Sequence, residues 1–392
     1  MLTYRAALSS NAVASTTKFL RNGEWDMHNR LFGWGIVFCL LFSGLASTQV
    51  KIMREPPAPV KPVNEAELIA KLSAAMDKLV ADDQFSGAVL LAKNGKPIFE
   101  KAYGMASKGY GVANRTDTKF NVGSIDKIFT KIAIGQLIRQ GKIASVDDKL
   151  IKYLPDYPNK DAAEKITLRQ ILTMQSGIGD FFGPKFEKAA KDQFRTISDY
   201  LPLFASEPLQ FEPGTQRKYS NGGYIVLGAV IEKITGESYY DYVRQNIFHP
   251  LGMENTDFYE VDAVVANRAS GYTKRDEVER ADWRENVYLQ PARGSSAGGG
   301  YSTLDDLLKF ANAVSERKMM NPAFEAEAPI APGQPFALMR GIGIAGGSPG
   351  VNGVMESGMP GGYTVIVLSN YDPPAAEKVT ESVREWMGLR MD

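Results

Sequence analysis

Near one third of the chain, two polar residues open an otherwise apolar stretch. In "FNVGSIDKIFTKIAIGQL", Phe120–Leu137, Ser124 is followed three positions later by Lys127, then by Ile128, Phe129, Ile132, Ala133 and Leu137 at helical spacing. Residues i and i+3 on a helix have Cβ atoms roughly 5–6 Å apart, which brings the Lys127 amine within reach of Ser124 Oγ. A serine at the helix start also faces the positive end of the dipole, which favours an alkoxide or oxyanion. An amine desolvated among Ile and Phe has a depressed pKa and can act as a base. The chemistry open to this pair is nucleophilic catalysis. Taken alone, the same residues also fit a plain helix start, with Ser124 as cap and Lys127 running its stem out to water.

Other stretches hold further candidates. Tyr219 and Asn221 flank Ser220 just before the apolar run "GGYIVLGAVIE", where an Asn-Gly turn and a helix cap would also account for them. The glycine-rich "GIGIAGGSPGVNG", Gly341–Gly353, reads as strand and turn, and "RGSSAGGGYST", Arg293–Thr303, as a tight loop before a helix.

Composition removes several classes. Lys+Arg and Asp+Glu both number 45, with no long basic run, so nothing supports nucleic-acid binding. Cys39 is the single cysteine, which excludes an intrachain disulfide. Histidines number two, His28 and His249, too few for a His-rich metal site. No metal and no cofactor are expected. His249, in "RQNIFHPLGM", is expected to cap a helix end before Pro250, so a Ser-His-Asp mechanism lacks its base.

The elements that must position these residues lie in a chain of 392 residues, 44% hydrophobic and 23% charged, ample for a large core. Residues 1–47 read as a leader. The uncharged run 31–47, preceded by Arg30 and ending in "GLAS", has the pattern of a signal peptide, with an uncleaved membrane anchor as the alternative. Met27 is the expected true start. The expected location is therefore periplasmic or extracellular, including attachment to the inner membrane through 31–47. A proline-rich linker, 48–63, follows, and the folded domain is expected over 64–392. A helix starting at Asn64 precedes two β-rich runs, Ala88–Ala92 and Pro97–Tyr103, around Asn94-Gly95, a hairpin signal. "ITLRQILTMQSG", "GGYIVLGAVIEKITGESYYDYVRQNIF" and "YSTLDDLLKFANAV" read as helices, the last capped by Ser302 or Thr303. The C-terminal part returns to strands in "VNGVMES" and "YTVIVLSN", then a helix opening at Pro374. Strands at both ends and helices between predict an α/β (α+β type) fold. One antiparallel sheet forms from the N- and C-terminal segments, flanked by helices, with a mostly helical inserted subdomain and Ser124 at the junction, where clefts form.

Ser-x-x-Lys, then Tyr-x-Asn, then a glycine-rich β segment, in that order, resembles the serine β-lactamase-like family, which includes class C β-lactamases, D-alanyl-D-alanine carboxypeptidases and related carboxylesterases. "LRQILTMQSGI", "YSNGGYIVLGAVIEKITG", "IFHPLGMENT" and "GGYTVIVLSNYDPPAA" extend the likeness over about 85–370. The resemblance implies Ser124 as acylated nucleophile, Lys127 as its base or relay, Tyr219 as proton shuttle to the leaving group, and Asn221 as the amide contacting substrate and Lys127. It implies an oxyanion hole from the backbone N–H groups of Ser124 and Gly347. A tyrosine beside an ammonium is expected to have a lowered pKa.

One departure stands out. Where the family often has Lys-Thr-Gly or His-x-Gly, this chain has Ile344, Ala345 and Gly346. The substrate-binding positions are thus Asn221, Ile344, Gly346 and Gly347, without the polar group that helps anchor a substrate carboxylate. Small esters or amides are the expected substrates. The alternatives are a β-lactamase or cell-wall D-Ala-D-Ala peptidase, and a non-catalytic binding protein on the same fold. Met174, where the family often has histidine, is read as packing. Oligomeric state is not legible.

Overall fold

A five-stranded antiparallel sheet is built from the two ends of the domain. In the computed structural model, which describes residues 64–274, 282–316, 318–319 and 343–389, β1 (Gly87–Lys93) and β2 (Lys96–Tyr103) form the expected hairpin around Asn94-Gly95. The remaining strands are β3 (Gly343–Ser348), β4 (Val351–Met359) and β5 (Tyr363–Ser369), and the order across the sheet is β2-β1-β5-β4-β3. β1 pairs with β5 in the register Val89↔Val367 and Leu90↔Ile366, joining the N-terminal and C-terminal segments at the centre of the sheet. Strand alternation then sorts the side chains into two cores. Leu90, Ile366 and Leu368 face the larger one, whereas Val89, Leu91, Val365 and Val367 face the smaller. β1 is apolar from Gly87 to Ala92 because both of its faces are covered there.

The smaller core is closed by α1 (Glu65–Ala81) and α5 (Ala375–Trp386). α1 offers Leu68, Leu72 and Met76 at spacings of four, α5 offers Val379 and Val383, and Met387 follows just beyond it. α1 begins where expected, with Asn64 Oδ1 accepting from the Ala66 and Glu67 N–H groups at 3.1 and 3.3 Å. The larger core holds the helical insertion: α2 (Lys127–Arg139), α3 (Asn221–Thr235) and α4 (Leu304–Ser315). Thr303, one of the two expected caps, starts α4 by accepting from Asp306 N–H at 3.3 Å.

Several expected helices are shorter than their sequence pattern. "ITLRQILTMQSG" yields only Leu168–Leu172, opened by a Thr167/Gln170 capping box and closed where Met174 turns to φ 62. Met174 packs against the larger core, as expected. The long pattern from Gly222 to Phe248 is interrupted: α3 ends at Gly236, in the left-handed region, and Ser238 caps a separate helix, Tyr239–Val243. His249 stands at the C-cap of Arg244–Phe248, as expected, with its backbone N–H donating to the Arg244 carbonyl, and it also opens the short turn His249–Leu251. The leader 1–47 with Met27, and the linker 48–63, lie outside the described residues. Among the described residues no helix is long and apolar enough to cross a membrane.

Phe129 joins the parts of the larger core. Fully buried, it meets Phe248 and Phe310 edge-on, each with ring centroids at 5.0 Å, and so locks α2 against two other segments. Phe129→Ala is expected to lower unfolding free energy by about 3–5 kcal/mol, measured by chemical denaturation.

Candidate active site

Ser124 sits in a 3₁₀ turn, Gly123–Asp126, that runs directly into α2 at Lys127. The turn needs two glycines. Gly123 has φ +52, and a Cβ there would come 3.0 Å from Gly347 N. A Cβ on Gly346 would lie 2.2 Å from Val122 O and 2.6 Å from Ser124 N. β3, the edge strand, therefore rests backbone to backbone on the serine turn, which brings Gly347 N beside it. A residue with a side chain at 346 would push the strand away.

α2 carries Lys127 beneath the serine. Its Nζ lies 3.0 Å from Ser124 Oγ and donates to Asn221 Oδ1 at 2.7 Å and to the Ala297 carbonyl. Asn221 is the first residue of α3, placed there by Ser220, whose Oγ accepts from Gly223 N–H at 2.9 Å. Tyr219 precedes this cap, and its hydroxyl donates to Ser124 Oγ at 2.6 Å. The structure thus brings together Ser124, Lys127, Tyr219 and Asn221 from two segments 94 residues apart at their Lys127–Asn221 contact.

Burial pushes the Lys127 amine down to about 7, against the opposing pull of the Asp180 and Asp126 carboxylates. Burial also pushes Asp126 up to about 7, against the Gly300 N–H that donates to it at 2.5 Å. The expected lowering of Tyr219 by a neighbouring ammonium does not occur. Its pKa is raised, chiefly by burial and only partly offset by the bond to Ser124, although the side chain as a whole is 54% exposed toward the cleft. The physical reason is that desolvation of the phenol, with the Asp180 carboxylate adding to it, outweighs the bond to Ser124. A neutral amine has two N–H groups and one lone pair. Asn221 Oδ1 and Ala297 O can only accept, so they take both N–H groups, and the lone pair is left for the Ser124 hydroxyl.

The cleft in front of these groups encloses about 520 Å³. Ser124, Tyr219 and Asn221 line it together with Gly346 and Gly347 of β3 and with Phe181, Phe182, Gln290 and Pro291. Ile344 does not line the cleft. It packs against the larger core, on the same face of β3 as Gly346, and the lining begins at Ala345. His249 is exposed and lines no part of it. Among the described residues no group of three or more His, Cys, Asp or Glu could hold a metal ion.

Three contributors were not singled out from sequence. Asp180 Oδ2 accepts from Asn221 N–H at 3.1 Å and from Asn221 Nδ2 at 2.8 Å, which fixes the amide with its oxygen toward Lys127. The Ala297 carbonyl comes from the loop read only as a tight turn, and Asp126 holds that loop through Gly300. None carries a local signal: each matters through a partner 41 or more residues away.

The Beta-lactamase family model matches residues 72–385. Penicillin-binding protein 4* of Bacillus subtilis (strain 168) is 29% identical over 271 residues, covering 66% of this chain and 58% of that protein. Teichoic acid D-alanine hydrolase of Staphylococcus aureus is 28% identical over 247 residues, covering 63% of this chain and again 58% of the relative. The chain therefore spans less than two thirds of the length of either. The crystal structure of a penicillin-binding protein from Bacillus halodurans superimposes with a TM-score of 0.70 at 28% identity, covering 79% of this chain and 98% of that one. With its fold, its serine–lysine–tyrosine cluster and a family match over most of its length, the chain belongs to the beta-lactamase family of serine hydrolases.

Proposed function

We propose that the protein is an exported serine hydrolase that forms an acyl-enzyme on Ser124 and acts on small esters or amides without a carboxylate near the scissile bond. The observation that carries the reading is the environment of Lys127 Nζ, bound to two acceptors and facing Ser124 Oγ at 3.0 Å. In the first step Ser124 Oγ attacks the substrate carbonyl carbon and its proton passes to Lys127 Nζ. The oxyanion is held by the N–H groups of Ser124 and Gly347, a kind of donor worth roughly 10²–10³ in rate. Tyr219 gives its proton to the departing oxygen or nitrogen as that bond breaks, and recovers one from the Lys127 ammonium, 4.8 Å from its ring centroid. Water then attacks the acyl carbon, the Lys127–Tyr219 pair takes its proton and passes it to Ser124 Oγ as the acyl bond breaks, so that Ser124 leaves as the hydroxyl.

The preference against carboxylates rests on Ile344, which offers no donor and turns to the core. Export rests on the leader 31–47 ahead of the linker 48–63 and the hydrolase domain 64–392. The relatives named above are penicillin-binding proteins and a teichoic acid D-alanine hydrolase, which supports a substrate at the cell envelope.

A fluorophosphonate probe is expected to label the protein covalently, and the label to vanish in Ser124→Ala; a folded native protein that stays unlabelled would mean a non-catalytic member of the family. Short p-nitrophenyl esters are expected to exceed nitrocefin in kcat/KM by about tenfold or more, a difference of ~1.4 kcal/mol. Equal turnover of nitrocefin would favour the β-lactamase reading.

Because the neutral amine is the base, kcat/KM is expected to rise with pH through about 7, where burial has brought Lys127. This replaces the more alkaline limb that a lowered Tyr219 would give. Asp180 pulls the Lys127 pKa up, so Asp180→Asn is expected to move the limb to lower pH, read from the pH–rate profile; a limb that stays or moves up would contradict that role.

A limb near 7 also overlaps the range of histidine, so the profile alone does not separate the two bases. His249→Asn does: kcat/KM is expected within about threefold of the native value, and stability within ~1–2 kcal/mol. A hundredfold loss in a folded variant would overturn the mechanism.

A further inference from the structure

Among the described residues lining the cleft, Glu377 is the only carboxylate, and no Lys or Arg lines it. Glu377 lies in the first turn of α5. Its Oε1 accepts from Asn352 Nδ2 at 3.0 Å. Its Oε2 is buried and has no hydrogen-bond partner among the described residues. The nearby cations are engaged elsewhere: Lys378 donates to Gln84 and Arg384 to Glu356. Among the described residues the carboxylate is thus held by one neutral amide and no cation, at the wall of a largely apolar cleft. Such a charge is costly until a donor or cation arrives.

The path from the serine to this carboxylate is short in the ladder. Asn352 pairs with Gly347, and its Nδ2 also donates to the Gly346 carbonyl at 3.3 Å. A Cβ on Gly347 would come 2.7 Å from Pro373 Cγ and 3.6 Å from that same Nδ2, so the missing side chain lets Pro373 and Asn352 close on β3 at this point. The last torsion of a glutamate is broad, and Glu377 itself lines the cleft.

We propose that Glu377 makes the cleft selective for esters or amides that carry an ammonium group, with the cation seated beside the Gly347 edge of β3. The inference rests on the Ser124 hydrolase reading and names its substrate class. It adds attraction of a positive group to the absence of a carboxylate anchor at Ile344, so that the two features disfavour anionic substrates together.

The test uses three p-nitrophenyl esters of similar length: the hexanoate, the 6-aminohexanoate and the mono-ester of adipic acid. In the native protein the ratio of kcat/KM for the amino ester to that for the adipate ester is expected to be about tenfold or more. In Glu377→Gln, which keeps the shape and the Asn352 contact, that ratio is expected to fall by most of this amount, and in Glu377→Lys to invert. A ratio unchanged in both variants, including a uniform fall for all three esters, would show that Glu377 only braces Asn352 and β3, and would overturn the proposal. For a variant that does not fold, the native protein decides: hexylammonium is expected to inhibit hydrolysis of the hexanoate ester at lower concentration than hexanoate ion does, and equal inhibition would overturn the proposal. Absence of turnover for all three esters, with no labelling at Ser124, would instead remove the hydrolase reading itself.

Discussion

A lysine amine held out of water is the constraint on which the rest of this structure turns. Placing an ammonium in a protein interior costs several kcal/mol unless the charge is paired or given up. Here α2 supplies the lysine, α3 supplies the Asn221 amide, and the loop before α4 supplies the Ala297 carbonyl. These acceptors satisfy a neutral amine, and burial carries Lys127 toward that form. The nucleophile candidate therefore gains a proton acceptor without histidine, and the conversion needs only the packing of three helices that the larger core already requires.

Serine and oxyanion wall meet through backbone alone. Gly123 and Gly346 remove the side chains that would separate the 3₁₀ turn from β3, and the strand reaches the turn because it is the free edge of the sheet. Its other edge pairs with β4, which pairs with β5 and through it with β1. The position of Gly347 is thus set by the central sheet, while Tyr219 and Asn221 are set by α3. The cleft lies where these two rigid bodies of structure touch, which is why its polar groups converge although they come from distant segments.

Charge around the cleft follows the same division. Asp180 and Asp126 lie behind the reacting groups, tied to Asn221 and to Gly300, and they temper the loss of charge at Lys127. Glu377 lies at the opposite wall, on the helix that covers the smaller core. Ile344, which fills the position where a cation or imidazole would face an anionic substrate in the family pattern, has instead joined the larger core.

Sequence by itself determined the strands, the sheet built from both ends, the helical insertion and the four residues of the cluster, because each is written in local terms. β-rich runs around an Asn-Gly turn mark β1 and β2, caps mark α1 and α4, and Ser-x-x-Lys fixes its own geometry through the helical repeat. Helix lengths were less legible: the apolar period continues past Gly236 and past Met174, and only the left-handed backbone at those residues shows where each helix stops. What tertiary structure alone decided is long-range and electrostatic. The Asp180 bond to Asn221, the Ala297 carbonyl on Lys127, the direction of the Tyr219 pKa shift and the packing of Ile344 against the larger core depend on which segments pack together. Desolvation is a property of the assembled surroundings, and no spacing along a single chain segment encodes it.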